Sequence, residues 1–509
     1  MHTFHLLKIK SFFVLMTSLF LAAVLVIVQE DMIQAFKTEI KSNVYRSEYN
    51  KLSDELNIDI SPTVPINNSG IPILLYHGIV DNPDRFSISL KNFKDQIFYL
   101  KMFGYETITI DDLNLYLEGK GNLPNRPVMI TFDDGRIDSY LESDPVIRAV
   151  NFNAVMYVAA GPILSGANNE STYYISGSDL VNMVKSYRWE VESHALQNEG
   201  GMIDINQETK GNFLSNKKWL FKEYRFESDA EFSERIKNEI VQSKNLLDDR
   251  FNLNVSSFAY PFGDYGQQSI NYPESKEIIK NYVSAYKTAF KQVWSGDGVY
   301  TYNYGDSDRH LLNRFEVPTN WTGSQLVSFL ESAKDKHLPY SDSFQEQSGW
   351  QRNWGNQSFI DQKLRLKSSS TSTGAFVFLD GTRLWSNYLF RVDSKIINGS
   401  HISLIGRYRD NQNYLACVFN ENYVKIEEYH DGVILKRSES RNLVNIDRNL
   451  VNLGILVNDD YVECSINNKV VVFSTIHSGI GGIGLKIWDS KLGNADVIFD
   501  DVAVTGKPW

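Results

Sequence analysis

Cysteine is scarce in this sequence, because Cys417 and Cys464 are the only two among 509 residues. So few cysteines exclude a small scaffold held by several disulfides and a zinc module built from cysteine ligands. Both cysteines fall in segments that we predict to be β-strands. A single disulfide in an exported protein and two buried free thiols are both compatible with the sequence.

Basic residues are outnumbered, since 51 Lys and Arg face 62 Asp and Glu and give a net charge of −11. This balance argues against an extended nucleic-acid-binding surface, so we expect no nucleic-acid partner. A phosphate-binding loop, a serine-hydrolase elbow, a His-Glu-x-x-His helix and a calcium-hand loop are also absent from the sequence. The hydrophobic share of 42% and the charged share of 22% are those of a globular protein.

Long hydrophobic runs are missing except at one place, residues 11–28, which carry no charge. Eighteen residues at 1.5 Å each are just long enough to cross a hydrocarbon core of about 30 Å. Lys8 and Lys10 precede the run, and Glu30 and Asp31 follow it. This asymmetry predicts a single-pass anchor in the cell membrane, with the bulk of the chain outside. The alternative is a cleaved signal peptide, although the polar residues after the run offer no small-residue cleavage site.

The pattern of polar and apolar residues along the chain predicts four parts: a signal anchor at 1–30, a polar stalk linker at 31–70, an α/β domain at 71–332 and an all-β domain at 333–509. In the third part, short apolar runs alternate with helical periods, which is typical of a (β/α) barrel. Its strand candidates are Ile71–Tyr76, Val128–Phe132, Ala154–Val158, Glu190–Glu192 and Ser257–Tyr260. Its helix signals include a start at Ser89 and a capping box that opens at Ser228.

The last part contains a series of short β-type segments separated by turns such as Asp431-Gly432. Helical periods are absent from it, so we predict a β-sandwich. Its string of strands resembles concanavalin-like or laminin-G-like domains. Trp350, Trp354, Trp385 and Trp488 are able to stack on sugars, but core packing explains most of them better, and we assign no binding site there.

The most informative stretch is the apolar strand that ends in Thr131-Phe132-Asp133-Asp134-Gly135. The carboxyl end of a strand is where α/β folds bind ligands. Neighbouring side chains of a strand point to opposite faces, so both acids serve one site only if the backbone turns, which Gly135 permits. A second Asp-Asp pair, Asp500-Asp501, lacks the glycine and is interpreted as a pair of surface acids.

Three further strand ends carry polar or loop-shaping residues: Tyr76-His77-Gly78, Glu192-Ser193-His194 and Phe258-Ala259-Tyr260-Pro261-Phe262-Gly263. With these motifs, residues 71–330 resemble the polysaccharide deacetylase family (carbohydrate esterase family 4), a group of distorted (β/α) barrels that remove N-acetyl groups from amino-sugar polymers. The first and third of these strand ends look most like the branch that acts on poly-N-acetylglucosamine.

The resemblance implies a role for each matched residue. Asp133 would be the general base, and Asp134 and His194 would be ligands of a divalent metal, with zinc as the first expectation and other divalent metals as alternatives. Backbone groups around Tyr260, Pro261 and Phe262 would stabilise the oxyanion and contact substrate. His77 would line the site, or it would be an ordinary buried histidine at a strand end.

The sequence departs from the family at the second metal-binding histidine. The corresponding positions hold Asn198 and Glu199. A carboxylate is an accepted zinc ligand and an amide is a weaker one. We prefer Glu199, because the rest of the match resembles the branch in which the second histidine follows the first by five residues, and we keep Asn198 as the alternative.

Two more departures concern the groups around the base. The arginine that orients the catalytic aspartate in the family corresponds to Ala259, and the histidine that acts as general acid corresponds to Arg314. Arginine does not give up a proton usefully at neutral pH, but it can stabilise an oxyanion or hold the base. His310 is near in sequence, and nothing places it in the site. The general acid therefore has no assignment.

The sequence thus predicts a metal-dependent hydrolase that removes N-acetyl groups from an extracellular amino-sugar polysaccharide, a cell-wall polymer or a biofilm exopolysaccharide. The alternative is a catalytically impaired, membrane-tethered glycan-binding protein, because a ligand and an acid of the family are missing. A glycosidase is disfavoured, since its two carboxyl groups must flank a bond at about 5–9.5 Å, which adjacent residues do poorly. The sequence does not specify the oligomeric state.

Overall fold

The computed structural model of the chain describes residues 32–56, 70–165, 173–197, 201–293, 302–305, 307–333, 336–345, 349–383, 385–440 and 448–506. Among these residues, no helix has both the length and the apolar character needed to cross a bilayer. The predicted anchor at 1–30 lies outside them.

Residues 32–56, which fall within the segment expected to be a stalk, form helix α1. This helix lies against the α/β domain: Tyr45, Tyr49 and Leu52 pack on its core. Lys41 pairs with Glu142 at 3.2 Å. Part of the expected linker is therefore a packed helix.

Seven parallel strands close into a barrel, as the alternating pattern predicts. Their order is β1, β12, β11, β10, β5, β4 and β3, and β1 pairs with β3 to close the ring. The strands of this domain are β1 (Ile73–Tyr76), β2 (Glu106–Thr107, an edge strand beside β3), β3 (Pro127–Phe132), β4 (Ala154–Val158), β5 (Trp189–Ser193), two small hairpins β6–β7 (Met202–Asp204, Lys210–Asn212) and β8–β9 (Trp219–Leu220, Arg225–Phe226), β10 (Ser257–Ala259), β11 (Thr288–Val293) and β12 (Leu312–Glu316).

Helices cover the outside of the barrel. They are α2 (Leu90–Met102), α3 (Ile110–Leu117), α4 (Ile137–Ala149), α5 (Ala160–Ser165), α6 (Gly177–Lys185), α7 (Asp229–Lys237), α8 (Ser243–Phe251), α9 (Ser275–Val283) and α10 (Gly323–Ser332), with a π turn at Asn238–Gln242 between α7 and α8. Ser89 caps α2 and Ser228 opens α7 with a capping box, as the sequence predicts.

The barrel interior is apolar at one end and polar at the other. The apolar layer includes Ile73, Met129, Val155 and Phe290. Because side chains alternate along a strand, the same faces carry Asp133 and Arg314 further toward the carboxyl ends of β3 and β12. The carboxyl ends of the strands therefore form a polar mouth, which is where the predicted site lies.

The C-terminal part is a sandwich of two antiparallel sheets, as predicted. One sheet contains β13 (Tyr340–Asp342), β15 (Asn356–Ile360), β16 (Lys363–Lys367), β18 (Tyr388–Asn398), β23 (Val451–Asn458), β24 (Tyr461–Ile466), β25 (Lys469–Thr475) and β27 (Asp496–Gly506). The other contains β14 (Trp350–Trp354), β17 (Gly374–Leu379), β19 (His401–Asp410), β20 (Asn413–Asn420), β21 (Tyr423–His430), β22 (Val433–Ser440) and β26 (Gly482–Trp488).

Cys417 and Cys464 form a disulfide across the sandwich, with their Cα atoms 5.7 Å apart. Cys417 lies on β20 and Cys464 on β24, so the bond joins the two sheets. Of the two states left open by the sequence, the structure contains the disulfide.

Candidate active site

The backbone turns sharply after β3, which brings two adjacent carboxylates to one mouth. Asp134 and Gly135 have φ values of +70° and +71°, so both lie in the left-handed region. A Cβ atom on Gly135 would approach Val158 and Ile163 at 3.2 Å. Glycine therefore both permits the turn and leaves room for the neighbouring side chains, as the sequence analysis expected.

Asp133 forms a two-point ion pair with Arg314. The guanidinium donates from Nη1 to Oδ1 at 2.5 Å and from Nη2 to Oδ2 at 2.7 Å. The two side chains are 0% and 2% exposed. Of the two roles considered for Arg314, the structure favours holding the base, because both carboxylate oxygens of Asp133 are engaged by it.

This pairing keeps Asp133 ionised. Burial by itself would raise the pKa of Asp133, but the positive charge of Arg314, with further contributions from His194 and His77, holds that pKa below its ordinary value. A carboxylate that is charged at neutral pH and fixed in orientation has the properties of a general base.

His194 faces both carboxylates with one ring nitrogen and is anchored through the other. Its Nε2 lies 3.7 Å from Asp134 Oδ1 and 3.8 Å from Asp133 Oδ2. Its Nδ1 lies 2.9 Å from the carbonyl oxygen of Ala259, which fixes the ring when Nδ1 carries the proton. Ala259, which takes the place of the family's arginine, thus contributes through its backbone.

The donor set of Asp134 and His194 fits a divalent metal. Two zinc ligands at about 2.1 Å from a tetrahedral ion are about 3.4 Å apart, close to the observed separation of Nε2 and Oδ1. In metal-binding histidines the second ring nitrogen also usually donates a hydrogen bond, for example to a backbone carbonyl oxygen. Within the described ranges, however, no three His, Cys, Asp or Glu residues form a metal-binding group. Asn198 and Glu199, the predicted third ligands, lie outside those ranges and stay predictions.

The loop that leads from His194 toward these two residues is held by the π turn. Glu239 accepts a hydrogen bond from the backbone N–H of Gln197 at 2.7 Å, and its carbonyl oxygen accepts one from Leu196 at 3.0 Å. Ala195 and Gln197 both have positive φ values. The sequence analysis did not predict this support, because π turns are rare and Glu239 meets the loop only through the fold.

His77 lies beside the two carboxylates, as predicted for a residue lining the site. Burial lowers its pKa and the charges of Asp133 and Asp134 raise it, with a net pKa below the ordinary value. Its Nδ1 is buried without a hydrogen-bond partner among the described residues. A neutral imidazole therefore faces the mouth.

The loop after β10 differs in part from the prediction. Tyr260 is buried, its N–H donates to the carbonyl of Phe290, and its hydroxyl donates to the carbonyl of His310. It therefore packs the loop and offers neither donor to a ligand. Pro261 is also buried and carries no N–H, whereas Phe262 is 45% exposed with a φ of +58°. Phe262 is the residue of this segment that remains available to a substrate.

His310, which nothing in the sequence placed in the site, also lies away from it in the structure. Its Nε2 lies 3.0 Å from the carbonyl oxygen of Tyr286, and the residue precedes β12, at the end of the barrel opposite the mouth. Two further residues at the mouth, Gln292 and Glu316, were not predicted from the sequence; their side chains are hydrogen-bonded at 2.6 Å. Tyr173, an exposed aromatic residue near Asp134, was not predicted either.

Comparisons with known proteins agree with this geometry. Residues 120–278 match the polysaccharide deacetylase family. The matched residues lie within the barrel, which therefore contains a polysaccharide deacetylase domain, as its motifs predicted.

Three individual proteins illustrate the similarity. A Bacillus subtilis protein described as a polysaccharide deacetylase is 22% identical over 52% of this chain and 77% of its own length. The poly-β-1,6-N-acetyl-D-glucosamine N-deacetylase of Escherichia coli is 23% identical over 39% of this chain, which spans only 32% of that enzyme. A solved de-N-acetylase from Aggregatibacter actinomycetemcomitans is 19% identical and covers 50% of this chain and 98% of its own, with a TM-score of 0.43.

Proposed function

We propose that this protein is a divalent-metal-dependent deacetylase that removes N-acetyl groups from an extracellular amino-sugar polysaccharide. The observation that carries the proposal is the buried, ionised carboxylate of Asp133, fixed by Arg314 next to Asp134 and the Nε2 atom of His194. A protein that only binds sugar has no need of a buried carboxylate held by a buried guanidinium.

Asp134 and His194 would hold the metal, with zinc as the first candidate for a set of oxygen and nitrogen ligands. When bound, such an ion polarises a carbonyl group and lowers the pKa of water. Asp133 takes the proton of the attacking water, because it is ionised and both its oxygens are oriented by Arg314. His194 stays oriented by its bond to the Ala259 carbonyl oxygen.

Aromatic side chains at the mouth support a sugar substrate. Phe86 follows β1, Tyr173 precedes α6 and Phe262 follows β10, and each is more than two-fifths exposed. Exposed aromatic rings around a polar mouth are suited to stack on the apolar faces of sugar rings. The similarity to a poly-β-1,6-N-acetyl-D-glucosamine N-deacetylase supports a polymer of N-acetylglucosamine, such as a biofilm exopolysaccharide or cell-wall glycan.

We also propose that the catalytic domain is exported and tethered to the cell membrane. The apolar run at 11–28, with lysines before it and acids after it, supports an anchor whose following residues lie outside. The disulfide between Cys417 and Cys464 is independent support, because such bonds persist in oxidising compartments.

The test is acetate release from N-acetylglucosamine oligomers by the full-length chain, with bound metal measured on the same sample. We expect metal-dependent release that is lost in Asp133→Asn. Asp134→Asn should lose bound metal as well. Asp501→Asn is the matched control: it changes an exposed aspartate of the other Asp-Asp pair, also at positive φ, and should leave both readings unchanged.

Each alternative has its own result. Bound metal without acetate release would point to another acyl substrate. Glycan binding with neither metal nor acetate release would overturn the proposal and favour a tethered glycan-binding protein.

A further inference from the structure

Glu316 is a buried carboxyl group at the mouth with no place in the site described above. It lies on β12 two residues after Arg314, so the alternation of side chains puts both on the inner face of the barrel. The residue is only 7% exposed. Its Oε2 accepts a hydrogen bond from Gln292 of β11 at 2.6 Å, which fixes the carboxyl group against the neighbouring strand.

The surroundings of Glu316 favour its neutral form. Burial is the largest influence and raises the pKa of Glu316, as does the negative charge of Asp133, whereas the hydrogen bond from Gln292 and the positive charges of Arg85 and Arg314 lower it; the net pKa is about 7. Arg314 is itself neutralised by Asp133, so it counteracts the burial of Glu316 only weakly. A large fraction of Glu316 therefore carries a proton near neutral pH.

Glu316 and the base flank the mouth from two sides. β1 lies between β3 and β12, and its Leu75 is in register with both Thr131 and Glu316. Two strand spacings separate β3 from β12 by about 10 Å. Inward-facing groups on these two strands therefore approach the mouth from different strands of the barrel wall.

We propose that Glu316 is the general acid of the reaction, the residue that gives a proton to the leaving amine. This inference rests on the proposed deacetylation. Asp133 removes a proton from water as the water oxygen bonds to the acetyl carbon. Glu316 then gives its proton to the amide nitrogen as the C–N bond breaks. The products are acetic acid and the free amine, and proton exchange with solvent restores both carboxyl groups.

Other groups at the mouth suit this role less well. Arg314 takes the place of the family's acid but keeps its proton at neutral pH. His310 lies at the opposite end of the barrel, bonded to Tyr286. His77 has a lowered pKa and is largely neutral, which makes it a poorer proton donor at neutral pH.

The test compares two substrates that differ in their need for an acid. An N-acetylglucosamine oligomer releases a basic amine, which must be protonated as it leaves. 4-Nitrophenyl acetate releases a stable phenolate and needs no proton. We expect Glu316→Gln, which keeps an acceptor for Gln292, to lower kcat on the oligomer by about 10²–10⁴-fold and the ester rate by less than about threefold.

The matched control is Glu190→Gln. Glu190 is a partly buried carboxyl group of the barrel whose pKa is also raised to about 7, mainly by burial, but it lies near the start of β5, away from the mouth, and accepts a hydrogen bond from the backbone N–H of Ile110. This variant should retain both activities. Circular dichroism and the melting temperature of each variant report whether it is folded.

A pH profile gives a second readout. Wild-type activity on the oligomer should fall about tenfold per pH unit above the pKa of Glu316, because the acid form is lost as pH rises, whereas ester hydrolysis should lack this limb. If folded Glu316→Gln lost activity equally on both substrates, or kept full activity on the oligomer, Glu316 would not be the general acid, but the proposed deacetylation would stand. A wild-type protein that hydrolyses the ester but never the oligomer would overturn the proposed function and the acid together.

Discussion

Replacing Arg314 with methionine would leave the carboxylate of Asp133 buried without its partner. The ion pair has two bonds, of 2.5 and 2.7 Å, and neither side chain is more than 2% exposed. Breaking such a pair from one side costs about 3–5 kcal/mol of unfolding free energy, because an uncompensated charge stays buried. This is a large share of the about 5–15 kcal/mol that stabilises a typical domain.

Neutralising the carboxylate as well should recover part of that loss. Asp133→Asn/Arg314→Met contains no buried charge at this position, so its unfolding free energy should exceed the additive expectation by at least about 1 kcal/mol. The measurement is urea unfolding of the full chain in the presence of a chelator, monitored through the hydrogen exchange of peptides from β3 and β12. These peptides report on the barrel separately from the sandwich.

Arg225→Met is the matched control for Arg314→Met. Arg225 makes the same two-point pair with Glu231, at 2.6 and 2.8 Å, but both side chains are more than two-fifths exposed. Loss of this exposed ion pair should change the urea midpoint of the barrel only a little. Two results would contradict this reasoning. One is that Arg314→Met and Arg225→Met lower the unfolding free energy equally. The other is that the effects of Asp133→Asn and Arg314→Met simply add in the double mutant.

Three further substitutions test other parts of the structure. Cys417→Ala/Cys464→Ala removes a bond that spans 47 residues and should lower sandwich stability by about 2–4 kcal/mol in urea unfolding; an unchanged midpoint would contradict this. Phe262→Ala should raise KM for the oligomer by about two- to tenfold with little change in kcat, whereas an unchanged KM would exclude stacking on this ring. Gly135→Ala places a Cβ at a φ of +71° and should lower kcat and the melting temperature together; wild-type values would show that the turn tolerates a side chain.

The parts of the fold with simple local patterns were predictable. β3 is wholly apolar until it reaches Asp133, and its end carries a specific motif. The helix starts at Ser89 and Ser228 follow from capping residues that act within one turn. The sandwich was recognisable from its many short strands, although its disulfide was not, because no local rule tells whether two distant strands face each other.

β11 and β12 were not predicted as strands, and the reason is functional. Lys291, Gln292, Arg314 and Glu316 interrupt their apolar pattern. At least Gln292, Arg314 and Glu316 are polar because they serve the mouth of the barrel, where ligand chemistry outweighs hydrophobic packing. Their polar character thus both places these residues at the mouth and hides their strands in the sequence.

The partner of Arg314 could not be inferred from the chain order either. Asp133 precedes it by 181 residues, and the two meet only because β1 closes the barrel between β3 and β12. The sequence therefore left two roles open for the arginine. Closure of the sheet pairs the arginine with Asp133, which favours the second of these roles.

The different surroundings of Asp133 and Asp134 account for the different roles proposed for them. The charge of Asp133 is balanced by Arg314, and its side chain is 2% exposed. Asp134 is 33% exposed and faces His194 Nε2. Asp134 interacts with Arg136 through charge alone, whereas Asp133 forms a two-point ion pair, so Asp134 is the carboxylate that a cation entering the mouth can engage and Asp133 is the one left to take a proton. Two adjacent carboxylates thus acquire separate functions through one buried arginine, which is why Arg314 is the residue on which the proposed chemistry most depends.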